Sequence, residues 1–104
     1  MAKNIQKMLK EAQKLEKRVA EVRESLAGMT VEGTAGGDAV KVTMNGQRDV
    51  LAVTIDPSVV EDGDVGLLED LLVSALRDAK ERSDRVAAEE MSKVAGLAIP
   101  PGAL

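Results

Sequence analysis

Five lysines near the start of the chain recur every three or four residues and could bind a polyanion. They are Lys3, Lys7, Lys10, Lys14 and Lys17. On a helix they would form one stripe about 21 Å long, since each helical residue adds about 1.5 Å. Ammonium groups at this spacing repel one another, and a bound polyanion would relieve that repulsion. The stripe therefore predicts salt-sensitive contact with phosphate groups, and a solvated helix surface is the alternative interpretation.

Other chemistry is restricted by the side chains that the chain lacks. Its 104 residues include no His, Cys, Phe, Tyr or Trp. Imidazole bases, thiolate nucleophiles and zinc or iron–sulfur sites built on Cys are therefore excluded. Without aromatic rings there is no stacking platform for unpaired bases. We expect no enzymatic activity, no cofactor and no small-molecule substrate.

Two short motifs could suggest ligands but lack the required spacing. The acidic run 61–64 (EDGD) lacks the twelve-residue ligand pattern of a calcium loop. The pair Gly36-Gly37 is not followed by the Lys-Ser/Thr of a phosphate-binding loop. We interpret the first as a polar connection and the second as a turn, and we expect no metal site.

The lysine stripe must be positioned by a long helix, which we predict over residues 3–27. Strong helix formers fill this segment, and Gly28 is placed to end it. Its apolar residues follow a heptad pattern, which predicts a narrow seam on the side opposite the lysines. The seam residues are Ile5, Met8, Ala12, Leu15, Val19, Val22 and Leu26. A helix this long extends beyond so small a body, so we expect part of it to project and to pack on another helix.

Three strands are predicted within residues 29–55, because the apolar period changes to two. Asn45-Gly46 is a strong hairpin signal, and a two-residue turn there would place Val40 opposite Leu51. Residues 67–95 are predicted to form a second long helix that ends before Gly96. The tail, 97–104, cannot remain helical past Pro100 and Pro101. The order is α-β-β-β-α, an α+β fold with a three-stranded antiparallel sheet in a single domain over 1–104.

Charge and exposed surface point to how the chain assembles. Residues 1–28 carry seven Lys or Arg against four Glu, whereas the whole chain has a net charge of −4. A basic arm on an acidic body is typical of proteins that contact an anionic partner. One small sheet and two long helices leave apolar surface that a homodimer joined through the sheet would cover. No signal-peptide or membrane-spanning segment is visible, so we expect a soluble, cytoplasmic protein.

Several motifs in order resemble the YbaB/EbfC family of bacterial nucleoid-associated proteins. They are Val31-Glu-Gly33, Gly37, residues 40–46 (VKVTMNG), 53–58 (VTIDPS), 68–75 (LEDLLVSA) and Ile99-Pro-Pro-Gly102. The Lys/Gln-rich first helix is also similar. The chain departs from the family pattern by lacking a Gly-rich leader and by having Arg77 where Asn is expected.

The resemblance implies an intertwined, tweezer-like homodimer that binds double-stranded DNA in the nucleoid through helical arms. Carried to this chain, the DNA-binding residues are Lys3, Lys7, Lys10, Lys14, Lys17 and Arg18. Arg82 and Arg85 on the last helix are weaker candidates, because acidic residues surround them. The expected mechanism is contact with the duplex phosphate backbone with little sequence specificity.

One alternative function also follows from the predicted architecture. Two projecting helices on a small β body resemble small coiled-coil chaperones such as prefoldin subunits. In that case the apolar seam, and not the lysine stripe, would carry the activity of the protein.

Overall fold

The computed structural model describes residues 2–98, with side chains for residues 4–96. Its elements occur in the predicted α-β-β-β-α order, with one short extra helix. They are α1 (Ala2–Ala27), β1 (Thr30–Ala35), β2 (Val40–Asn45), β3 (Val50–Ile55), α2 (Pro57–Glu61) and α3 (Val65–Ala98). The three strands form one antiparallel sheet in the order β1-β2-β3. The predicted fold class is therefore confirmed.

The β2–β3 hairpin forms as predicted, but its strands pair in a different register. Val40 lies opposite Ile55, not opposite Leu51. The prediction was wrong because the loop is longer than two residues: Asn45 N donates to the Asp49 carbonyl over 3.0 Å, and the strands pair beyond that point. Arg48 provides the left-handed conformation in this loop, with φ at 68°. Leu51 is an extra residue in a bulge, since Thr43 pairs with Ala52 and Met44 pairs with Val50.

The core lies between the sheet and one side of α3. Its buried members are Val40, Val42, Met44, Ala75 and Ala79. Small residues on α3 let the helix approach the sheet closely. At Gly33 on β1, a Cβ atom would lie 2.7 Å from the Cα of Ala79 and closer still to backbone atoms of Ala75 and Ala79. The helix backbone therefore rests directly on the backbone of the strand.

Aspartate side chains cap the N-termini of α2 and α3, the two helices that follow β3. Asp56 accepts a hydrogen bond from Ser58 N over 2.9 Å, and Asp64 accepts one from Leu67 N over 3.0 Å. The predicted second helix, 67–95, begins earlier, at Val65, and continues to Ala98. Gly96 does not end it, because this glycine is not among those with a left-handed backbone. Of the predicted tail, residues 97 and 98 complete α3, and residues 99–104 lie outside the described part of the chain.

The described chain is long and narrow, with dimensions of 73 × 25 × 17 Å and a radius of gyration of 20.4 Å. A compact domain of this length would have a radius of gyration of about 13 Å. The difference arises from the two long helices, of 26 and 34 residues, because α1 packs on α3 only through its C-terminal half. Val22 and Ser25 line a shallow groove together with Glu90 and Val94 of α3. Residues 4–18 of α1 are exposed throughout, so this part of the helix projects as predicted, but the expectation that another helix of the chain covers it was wrong.

Candidate nucleic-acid interface

The lysine stripe lies on the projecting half of α1. Lys7, Lys10, Lys14 and Lys17 are exposed, and so is Arg18 beside them. The side chain of Lys3, the first predicted member of the stripe, lies outside the described residues. Because the lysines occupy helix positions opposite the apolar seam, the stripe faces away from the side on which α1 would pack.

Within the described part of the chain, no ion pair involves this stripe. Three ion pairs occur among these residues: Arg48–Asp84, Arg82–Asp78 and Lys93–Glu90. None of them involves α1. Residues 4–18 carry five basic and two acidic side chains, while the whole chain has a net charge of −4. Positive charge is therefore concentrated on the arm, which can attract an anionic partner locally despite the acidic body.

The two weaker candidates on α3 lie in a different environment. Arg82 Nε donates to Asp78 Oδ1 over 3.3 Å. Arg85 lines a shallow groove next to Glu32 and Glu89. A cation beside carboxylates adds less to the positive potential than an isolated one, so these two side chains add little to the stripe.

The base of the arm is held by a hydrogen-bond network around Asn45. The Asn45 side chain accepts from Gln47 N over 2.9 Å and from Asp49 N over 3.0 Å, and it donates to the Ala27 carbonyl over 3.3 Å. Gly46 N donates to the Leu26 carbonyl over 2.9 Å. These contacts join the end of α1 to the hairpin loop and so set the direction of the arm.

Ser83 extends this network to α3. Its buried hydroxyl donates to the Asn45 carbonyl over 2.8 Å. Sequence reasoning identified the Asn-Gly pair as a turn but missed this anchoring role of Asn45 and Ser83. The sequence did hold a signal for this contact. Ser83 is a polar residue on the apolar face of α3, which also carries Ala79, Val86 and Met91, and a buried hydroxyl needs a hydrogen-bond partner.

Two carboxylates are stabilised by backbone N–H groups. The pKa of Asp56 is lowered mainly by the hydrogen bond from the Ser58 backbone. The pKa of Asp78 is lowered mainly by the backbone N–H of Thr34, with a smaller contribution from Arg82. Both serve capping or packing roles on the body, and neither lies on the arm.

The described residues provide neither a cluster of metal ligands nor a membrane-spanning helix. Within residues 2–98, no three His, Cys, Asp or Glu side chains are arranged so that they could hold a metal ion. The helices of this region include none with the length and apolar character required to cross a membrane.

Comparison with known proteins identifies the group to which this fold and its basic arm belong. Residues 1–98 match the family model described as the YbaB/EbfC DNA-binding family. The chain therefore belongs to the YbaB/EbfC DNA-binding family, as its motifs predicted.

Individual relatives are similar along nearly their whole length. A nucleoid-associated protein of Dictyoglomus thermophilum is 44% identical, with 96% of this chain and 97% of that protein aligned. One from Rhodospirillum rubrum is also 44% identical, over 96% of this chain and 94% of the relative. An uncharacterized protein from Helicobacter pylori has a similar solved structure, with a TM-score of 0.63 at 24% identity over 82% of this chain and 94% of that one. This structural likeness supports the fold.

Proposed function

We propose that this chain is a nucleoid-associated protein that binds double-stranded DNA as a homodimer, through phosphate contacts made by the exposed lysines of α1. The observation that carries the proposal is the lysine stripe, whose described members are all exposed and take part in none of the three ion pairs among the described residues. Membership of a DNA-binding family supports DNA as the partner. Localisation to the nucleoid follows from the same proposal and from the names of the relatives.

Contact with phosphates, and not with base edges, fits the residue types of the arm. Lysine is a flexible point charge that pairs with phosphate but does not form the bidentate contacts by which arginine reads guanine. Asn4, Gln6 and Gln13 do not form a series along the stripe that could read adenine. We therefore propose that the affinity is electrostatic and that sequence preference is weak.

The proposed homodimer forms through β3. This strand is an edge of the sheet, and five of its six residues are exposed. Val50, Leu51 and Val53 are each about half exposed, at 50%, 53% and 45%. An apolar edge strand of this kind pairs readily with another chain. Pairing two copies here would cover the apolar surface and would bring two basic arms into one particle.

The decisive experiment replaces Lys7, Lys10 and Lys14 together by Glu and measures binding to labelled duplex DNA by fluorescence anisotropy at several salt concentrations. We expect a loss of affinity of at least about 100-fold, because phosphate contacts are lost and repulsion is introduced. The slope of log K against log salt should also become shallower, by about 0.9 for each phosphate contact removed. Wild-type affinity should change little when the DNA sequence is changed.

A matched control carries the same change of charge on the body: Lys41, Arg77 and Lys80 replaced by Glu. This variant should retain most of the affinity, since these side chains lie away from the arm. Equal losses in the two triple variants would show that overall charge, and not the stripe, controls binding. If neither the wild type nor the control bound DNA at low salt, the chaperone-like alternative would be favoured, because the exposed apolar seam would then be the surface that remains.

A further inference from the structure

The side of the arm opposite the lysines is apolar and uncovered. We call Ile5, Met8, Ala12 and Leu15 the distal seam. Its three large side chains, Ile5, Met8 and Leu15, are 60%, 67% and 40% exposed, and the neighbouring Leu9 is 57% exposed. The seam continues into Val19 and Val22, which are half-buried. Residues at this heptad spacing are suited to pairing with a second helix.

The flanks of the seam carry charges in an unequal pattern. In the heptad that places Ile5 and Ala12 at position a and Met8 and Leu15 at position d, Glu11 and Arg18 occupy position g on one flank. Leu9, Glu16 and Arg23 occupy position e on the other flank. Residues at e and g contact the partner helix and determine its orientation and register.

We infer that the distal seam is a second self-association surface, which pairs with α1 of another copy of the chain in antiparallel orientation, so that Met8 lies against the half-buried Val19 and Ile5 against the half-buried Val22 of that copy. Ala12 of each copy then lies opposite Leu15 of the other. In this register Glu11 of each helix faces Arg18 of its neighbour, twice by symmetry. The other flank places Leu9 against Glu16 and contains no like-charged pair. The inference rests on α1 alone and does not depend on DNA binding or on pairing through β3.

The other arrangements bring like charges together. A parallel, in-register pair would place Glu11 against Glu16 and Arg18 against Arg23, because position g faces position e in that orientation. Sliding the antiparallel pair by one heptad in one direction would place Glu11 against Glu11. Sliding it in the other direction would place Arg18 against Arg18. Charge complementarity therefore selects one orientation and one register.

The lysine stripe remains accessible in this arrangement. Lys7, Lys10 and Lys14 lie at positions c and f, which face away from the partner helix. Two paired arms would present a lysine stripe on each outer side. Self-association through the seam is thus compatible with phosphate contact by the same helices.

The charge pattern is tested by sedimentation equilibrium on the full chain without DNA. Glu11→Arg and Arg18→Glu should each weaken the self-association of the arms by about tenfold, because two favourable pairs become repulsive. The double variant E11R/R18E should restore it to near the wild-type value. Glu24→Arg is the control, since it makes the same charge change at an outward position. A double variant no stronger than the single ones, or self-association unaffected by any of them, would overturn the inference.

Orientation is tested by disulfide cross-linking, because the natural chain contains no cysteine. Ala12→Cys and Leu15→Cys variants of different mass are mixed and oxidised. The antiparallel register predicts mainly the mixed 12–15 disulfide. Mainly 12–12 and 15–15 products would indicate a parallel pair and contradict the inference, and so would the absence of any cross-linked product. Both positions are exposed within the described chain, so neither variant endangers the fold.

Discussion

Asp78 links the long helix α3 to the first strand through a single backbone hydrogen bond. Thr34 N donates to its Oδ2 over 3.0 Å, and Arg82 reaches its other oxygen. The backbone N–H stabilises the ionised carboxylate, and this is the main reason why the pKa of Asp78 is lowered. Folding therefore favours the charged form of this side chain.

A pH dependence follows from the direction of this shift. The unfolded carboxyl has a pKa of about 3.9, and the folded one is lower. The stability that Asp78 contributes is present in full above the unfolded pKa, and it is lost as the pH falls through the folded pKa. We expect Asp78→Asn to be less stable than the wild type at pH 7 and to approach it below about pH 4. Urea unfolding from pH 7 to pH 3 measures this, and a constant difference over that range would contradict it.

The contact between α3 and β1 depends on the absence of a side chain at Gly33. A Cβ there would meet backbone atoms of Ala75 and Ala79, and backbone cannot move aside as a flexible side chain can. We expect Gly33→Ala to lower the free energy of unfolding by about 1–3 kcal/mol or more, as overpacking does. Chemical denaturation measures the change.

Gly96 provides the matched control for this substitution. A Cβ at this position meets no heavy atom within 4 Å, and the residue lies within α3. Gly96→Ala should therefore leave stability unchanged or raise it by up to about 1 kcal/mol, because alanine has the higher helix propensity. If both substitutions had the same effect, close packing at Gly33 would not be the cause.

The helices were predictable because their signals are local. Heptad spacing and helix-forming residues identified α1, and the same spacing placed Lys7, Lys10, Lys14 and Lys17 on the exposed side where the structure has them. Their role in DNA binding stays a prediction. The hairpin register could not be obtained in this way, because the Asn45 side chain organises a longer loop and Leu51 is inserted as a bulge. The bond from Ser83 to Asn45 spans 38 residues, so no local pattern reports it.

The number of chains in the assembled particle depends on which exposed surfaces of the chain pair with another copy. Val53→Glu places a charge in the middle of exposed β3. We expect it to abolish association through the sheet, since an edge-strand charge opposes strand pairing. Sedimentation measures the mass. Val60→Glu, at another exposed valine, is the control and should associate like the wild type.

The two proposed self-association surfaces predict different results for combined variants. Val53→Glu alone should retain association through the arms, whereas Val53→Glu with Glu11→Arg should be largely monomeric. A Val53→Glu variant that assembles like the wild type would contradict pairing through β3 and would leave the inference about the arm intact. The failures of the two proposals can thus be distinguished.

Because residues 4–18 are exposed, the helicity of the arm depends on the salt concentration and on what the arm binds. An isolated helix of roughly this length is only marginally stable in water, and repulsion among its lysines shifts it further toward coil. Dissolved ions weaken the repulsion between neighbouring lysines most at high salt, because the screening length falls from about 10 Å at 0.1 M to about 3 Å at 1 M. Salt would therefore increase the helicity of the free arm while weakening its attraction to phosphate. The conformational entropy of this one segment would become part of the free energy of every complex that the arm forms.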